Sequence, residues 1–151
     1  EIKEFAATTR TAEDAANAIG CSVAQIVKSL LFVVDGQAVM ALVSGPNRLD
    51  EQKLAALRGV GKKKVKRADA DIVRAATGYA IGGVPPFGHR QPIPTYIDQD
   101  FWQFEVIWAA AGTPNAVFAI TPAELVRVTE GVVADLKAGL SNPASNAAAG
   151  Q

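Results

Sequence analysis

Two local patterns in this chain have residue types suited to chemistry. The first is Lys28, which opens the apolar run Lys28–Asp35 (KSLLFVVD). An ammonium there is partly desolvated unless something anionic meets it. It reads either as a strand-end lysine whose head snorkels to water, or as a cation aimed at a phosphate or a developing oxyanion. The second pattern is the loop Gly82–His89 (GGVPPFGH). Two glycines, two prolines and a further glycine make a stiff turn with exposed amides. Such amides can hold a carbonyl or an oxyanion, although an ordinary Pro-Gly connection has the same composition. His89, the sole histidine, is open to being an acid, a base, a hydrogen-bond donor or a surface residue.

A third feature is the basic run of Lys62, Lys63, Lys64, Lys66 and Arg67, with Arg58 and Arg74 nearby. A solvated face is one reading. A seat for RNA phosphates is the other, and it would make binding fall with salt. Other chemistries are excluded by residue type or spacing. A zinc site needs three or four Cys, His or carboxylate ligands suitably spaced, and one His and one Cys stand far apart here. Gly59-Val-Gly-Lys62 fails as a phosphate loop, because Ala56 and Lys63 occupy the places of the required first glycine and the final Ser or Thr. Gly78–Gly83 has the wrong spacing for a dinucleotide fingerprint. No convincing Ser-His-Asp or Cys-His set is present, so no protein nucleophile stands out; neither a metal nor a cofactor is expected.

The elements that must position these residues are readable from periodicity and punctuation. Thr11–Gly20 is predicted as a capped helix, and Ser22–Gln25 as a capping box opening a further turn. Lys28–Asp35 and Ala38–Ser44 flank Asp35-Gly36, a strong hairpin signal. Both runs are apolar on both faces, which places them in the middle of a covered sheet. Leu49–Leu57 and Asp69–Thr77 read as helices ended by Gly59 and Gly78. Lys64–Ala68, Tyr79–Ile81 and Thr95–Asp98 read as short strands, and Phe101–Phe104 as a turn or short helix. Glu105–Ala111 and Ala116–Ile120 form a second central hairpin, Thr121-Pro122 starts a helix, and Val132–Leu136 is a last strand. Trp102, Phe104 and Trp108 lie beside apolar runs and are expected to pack inward rather than form an exposed patch. The order predicts one mixed α and β domain over 1–136. From Lys137 the composition turns to Ala, Gly, Ser, Asn and Pro, so 137–151 is expected to be a disordered tail.

The totals agree with one globular domain. The chain has 151 residues, is 49% hydrophobic and 20% charged, enough to bury a core without staples. Fifteen basic residues balance fifteen acidic ones, so local clustering rather than net charge must decide on nucleic acid. Cys21 cannot form an intramolecular disulfide and reads as a packing residue. No run reaches the roughly 20 apolar residues that span a bilayer, and Glu1–Arg10 lacks the apolar core of a signal peptide. A cytoplasmic protein with no membrane contact is expected.

Taken together, Ile26-Val-Lys-Ser-Leu-Leu-Phe32, Asn47-Arg-Leu-Asp50, Gly78–His89, Tyr96-Ile-Asp98 and Ala111-Gly112 resemble the YbaK-like aminoacyl-tRNA deacylase family, which includes the editing insertion of bacterial prolyl-tRNA synthetases. The resemblance runs from about Thr11 to Leu136. It implies a compact α/β domain with a mixed, barrel-like sheet surrounded by helices. It implies hydrolysis of the ester between an amino acid and the terminal adenosine of a tRNA, without a protein nucleophile or cofactor. The family's invariant lysine falls on Lys28 and its Gly-x-x-x-Pro loop on Gly82–Pro86. Asn47, Gly82, Gly83, Pro86, Gly88, His89 and Gly112 are then expected to bind substrate, and Lys62, Lys63, Lys64, Lys66 and Arg67 the RNA backbone. The partners implied are the acceptor end of an aminoacyl-tRNA and a synthetase such as prolyl-tRNA synthetase. Val84-Pro-Pro-Phe87 is bulkier than expected for cysteine-specific relatives, which favours another small amino acid such as alanine. The competing reading is a non-catalytic module that binds a nucleotide or an RNA end.

Overall fold

The organising element is the hairpin centred on Asp35-Gly36. Both residues have positive φ, 50° and 82°, the twist that matches a tight two-residue hairpin turn. It joins β2 (Val27–Val34) to β3 (Gln37–Ser44), which pair in register from Val34↔Gln37 to Val27↔Ser44. The computed structural model describes residues 2–5 and 11–139.

Among the described residues four α-helices lie around the strands, α1 (Ala12–Ile19), α2 (Glu51–Arg58), α3 (Ala70–Thr77) and α4 (Pro122–Thr129). Each begins where the sequence offers a capping oxygen. Thr11, Asp50, Asp69 and Thr121 accept backbone amides of the first turn at 2.8–3.1 Å, satisfying donors that a helix start leaves orphaned. The strands β4 (Val65–Arg67), β5 (Thr95–Asp98) and β8 (Val132–Ala134) complete a five-stranded sheet ordered β4-β2-β3-β5-β8. β2 is antiparallel to β3 and β4, whereas β5 runs parallel to β3 and β8. A second sheet, β1-β7-β6, is formed by β1 (Ile2–Glu4), β6 (Ile107–Ala110) and β7 (Ala116–Ile120).

Both faces of the larger sheet are covered, which explains why β2 and β3 show no polar alternation. Leu31, Met40, Leu42 and Ile97 pack with Val73, Phe101, Ile107 and Leu125 on one face. Phe32, Val39, Ala41 and Val43 pack with Leu54, Tyr96 and Leu136 on the other.

The mixed α/β class matches expectation, with several differences. The sheets do not close into a barrel; an isolated bridge, Ile26↔Trp108, links them. For the same reason the β6–β7 hairpin is not central to the large sheet. Tyr79–Ile81 is not a strand: the Tyr79 amide donates to Thr77 Oγ1 and the Gly83 amide to the Ala80 carbonyl, so the segment folds on itself instead of joining a ladder. Trp102 is 51% exposed because Phe101, one residue earlier on the turn Gln99–Gln103, takes the core position; Phe104 and Trp108 do pack inward. Strand β1 carries no signal that sequence reading used. Of the expected tail, Lys137 and Ala138 are tied to the domain: Lys137 bridges Leu49, and the Ala138 amide donates to the Arg48 carbonyl. Residues 140–151 lie outside those described.

Candidate active site

The site begins with a mismatch of strand lengths. β3 pairs with β2 along its whole length, but β4 meets only Phe32–Val34, and the Ala68 amide closes that ladder on the Leu31 carbonyl. At the other end of β2, the one ladder link to β6 among the described residues is the bridge Ile26↔Trp108, although Val27 and Leu31 pack with Ile107 and Ala109 in the core. Between these points Lys28–Leu30 has no strand partner on its outer edge among the described residues. A cavity of about 330 Å³ occupies the gap, lined by Lys28, Gly82, Val84, Trp108 and Val117 among others. The two patterns singled out from sequence thus meet in one cavity.

Lys28 is half-buried. Its Nζ donates to the carbonyl of Asn47 at 2.5 Å. Burial, reinforced by the Arg67 guanidinium, holds its pKa below the usual lysine value, while Asp98 and Glu13 act in the opposite sense. That carbonyl is fixed from behind. The Asn47 side chain donates to Asp98 Oδ2 and to Asp100 Oδ2, each at 2.8 Å. Asp98 is 1% exposed, and its carboxylate also accepts the amides of Ser44 and Asp100. A buried carboxylate is tolerated when its oxygens are filled in this way. Both side-chain protons of Asn47 are spent on these carboxylates, so what Asn47 offers to the site is its carbonyl, which anchors Lys28.

The loop opposite is interlocked with the β6–β7 turn. A Cβ on Gly83 would lie 2.8 Å from Thr113 Cα and 3.0 Å from the Gly112 carbonyl oxygen, and one on Gly112 would press the Tyr79 ring at 3.4 Å. Only glycine lets the two turns approach so closely. The Gly83 amide is spent on Ala80, and Pro85 and Pro86 have none. Among the described residues no acceptor meets the amides of Gly82 or Val84, which makes them the donors available near the cavity.

Of the remaining expected residues, Arg67 also lines this cavity, and the others lie away from it. Pro86, Gly88 and His89 line a different hollow of about 660 Å³, shared with Val128–Glu130. His89 Nε2 lies 2.6 Å from the Pro85 carbonyl; a carbonyl only accepts, so Nε2 carries the proton. Burial lowers the His89 pKa, partly offset by that bond. Of the basic run, Lys62 and Arg67 line a third hollow of about 530 Å³ together with Lys28. Lys63, Lys64 and Lys66 are exposed and line none of these hollows, and Lys64 lies 3.8 Å from Asp35.

Sequence reading did not single out Asp98 and Asp100 as residues that fix the site. The available signal was an acidic residue closing an apolar strand, Tyr96-Ile-Asp98. It also passed over Ser29, whose hydroxyl is buried with no hydrogen-bond partner among the described residues. Chemically, the arrangement is a held cation and two available amides around a largely apolar cavity. It suits a polarised carbonyl or an anion. Cys21 sits apart against α1, with its thiol pKa raised by burial. No group of three His, Cys, Asp or Glu side chains among the described residues is arranged to hold a metal, and none of their helices is long and apolar enough to cross a membrane.

Comparison with known proteins bears on this arrangement. The aminoacyl-tRNA editing domain family matches residues 6–128. A solved structure of a candidate trans-editing enzyme for prolyl tRNA synthetase superposes with a TM-score of 0.87 at 50% identity, covering 92% of this chain and 87% of that one. EbsC of Enterococcus faecalis (strain ATCC 700802 / V583), a candidate Cys-tRNA(Pro)/Cys-tRNA(Cys) deacylase, is 31% identical over 83% of this chain and 76% of its own. Proline--tRNA ligase of Thermoanaerobacter sp. (strain X514) is 30% identical over 66% of this chain, which corresponds to 17% of the ligase.

Proposed function

We propose, from the premise that this chain belongs to the aminoacyl-tRNA editing domain family and is an aminoacyl-tRNA deacylase, that it acts in trans to remove a small amino acid such as alanine from a wrongly charged tRNA(Pro). The observation that carries this reading is the shared cavity of Lys28 and Gly82. The terminal adenosine enters that cavity with its ester between the Lys28 ammonium and the amides of Gly82 and Val84. A positioned water, aided by the free hydroxyl of the terminal ribose, adds to the ester carbonyl. The C–O bond to the ribose then breaks, the ribose oxygen takes up a proton, and the free amino acid leaves. Lys28 holds the adenosine end or offsets the negative charge that develops on the carbonyl oxygen, and the amides orient that oxygen.

Asp98 and Asn47 are positioning residues, since they act through the carbonyl on which Lys28 rests. The volume of about 330 Å³ and the walls of Val84, Val117 and Trp108 suit a small side chain beside a nucleoside. Similarity to a candidate trans-editing enzyme and to a proline--tRNA ligase supports tRNA(Pro) as substrate and a prolyl-tRNA synthetase as partner. On this reading the editing domain is residues 1–136, with Lys137 and Ala138 anchored against it, and it acts in the cytoplasm.

The test is a panel of mischarged tRNAs, with release of the amino acid as readout. Turnover by the wild type, falling by about 10²–10³ in Lys28→Ala with an unchanged melting curve, is the expected result for loss of one oxyanion-type contact. No turnover on any member of the panel would sink the reading and leave a binding module.

A further inference from the structure

Two of the three hollows meet at Lys28, and the second lies outside the cavity assigned to the ester. It has a volume of about 530 Å³, a floor of Leu30 and Phe32, and a rim that includes Arg48, Lys62 and Arg67. Lys28, Leu30 and Arg67 belong to both, so the hollows adjoin along the outer edge of β2.

The charge of this groove is unbalanced. Four cationic side chains line it, against the carboxylates of Asp50 and Glu51. The Asp50 carboxylate already accepts the amides of Gln52 and Lys53 at the start of α2. Among the described residues Arg48, Lys62 and Arg67 are in no ion pair; those present are Lys53–Asp135, Lys64–Asp35, Arg127–Glu124 and Lys137–Asp100. Arg67 stacks its guanidinium 5.7 Å from the centre of the Phe32 ring, which fixes it over the groove floor. Like charges gathered without partners repel one another, and an anionic chain laid between them relieves that repulsion.

We infer that this groove binds the phosphates of the nucleotides immediately before the terminal adenosine, so that the acceptor strand leaves the cavity over Lys28 and runs between Arg48 and Lys62. This assignment rests on the proposed function for the identity of the strand. It divides the basic run by geometry: Lys62 and Arg67 face the groove with Arg48, a residue outside that run, whereas Lys63 and Lys66 lie off it. A merely solvated basic face would not discriminate among these side chains.

The discriminating experiment measures binding of an uncharged RNA hairpin ending in single-stranded CCA, over a series of salt concentrations. It compares Arg48→Gln/Lys62→Gln with Lys63→Gln/Lys66→Gln. All four residues are exposed, and both double variants remove two positive charges. The groove pair is expected to raise Kd by about tenfold at low salt and to make the salt slope shallower by about 1.4, or about 0.7 for each lost phosphate contact on a single strand. The off-groove pair is expected to leave both near wild type. Equal weakening by the two pairs would show unspecific attraction and overturn the assignment, as would an unchanged Kd in the groove pair or a wild type that does not bind the hairpin. The RNA carries no amino acid, so this outcome is independent of turnover: a wild type that binds the hairpin yet hydrolyses no mischarged tRNA refutes the deacylation scheme and not the groove.

Discussion

The Gly82–His89 loop has two ends that look alike in sequence and differ in surroundings. At one end Gly82, Gly83 and Val84 press against the β6–β7 turn and share a cavity with a half-buried ammonium. At the other, Pro86, Gly88 and His89 open onto a separate hollow beside Val128–Glu130. The first end has amides that meet no acceptor among the described residues, and a cation held by a chain of hydrogen bonds running back to the buried Asp98. The second has its only titratable group fastened to the carbonyl of Pro85. A loop rich in glycine and proline is therefore not a site along its whole length. On the proposed reading, the part beside the gap in the sheet takes part in the chemistry and the part around His89 secures the loop.

The contrast is sharpened most by Lys28. Its lowered pKa means that the ammonium gives up its proton at a lower pH than an ordinary lysine does. If the cation is the active form, kcat/KM falls on the alkaline side, with the midpoint below the ordinary value of 10.5. Lys28→Arg keeps a cation across that range, so its residual activity is expected to lose the alkaline fall. A pH–rate profile of the two proteins checks this, and an identical alkaline limb in the arginine variant would move the titration to another group.

Next in size is a pair of alanine substitutions at the two ends of the loop. Gly83→Ala forces a Cβ against the Thr113 backbone at 2.8 Å. A loss of about 1–3 kcal/mol in stability is expected, together with reduced turnover as the loop moves off the cavity. At Gly88 nothing lies within 4 Å of an added Cβ, and the cost comes from its φ of +78° alone, about 1 kcal/mol, with turnover close to wild type. Denaturant melts and deacylation rates for the two variants test the contrast directly. Equal losses of activity would erase the distinction between the two ends.

The smallest effect belongs to His89. Its folded pKa lies below 6.5, the ordinary value, so as pH falls the unfolded chain takes up the proton first. The associated stability is complete above pH 6.5 and declines as pH falls toward the folded pKa. His89→Gln is expected to remove that decline from a plot of Tm against pH while sparing turnover. A large loss of turnover in this variant would instead bring His89 into the reaction.

Much of the fold was legible because its signals are local. A helix start is decided by an oxygen within three residues, as with Thr11 or Asp69, and a tight hairpin by two residues able to take positive φ, as with Asp35-Gly36. The continuous apolar runs of β2 and β3 announced a sheet covered on both faces. Lys28 and the start of the glycine-proline loop were legible as outliers against those patterns, and the family resemblance placed them in one site. Tyr79–Ile81 misled because three residues of strand-forming type say nothing about whether a partner edge is free. Trp102 misled because a one-residue phase shift on a short turn exchanges it with Phe101.

What the chain alone determined is therefore the set of elements, their order and the few residues whose chemistry is out of place within them. What only the tertiary structure decided is where a strand lacks a neighbour. β4 pairs with three residues of β2 and then turns away, leaving the edge of Lys28–Leu30 open. That gap let the Asn47 carbonyl, 19 positions along the chain, and Asp98, 51 beyond Asn47, become one support for an amine. It also divided a single basic run into side chains that face the opening and side chains that do not. Periodicity reports which face of an element is buried; it has no term for how far two strands run together, because that length is set by packing between distant segments.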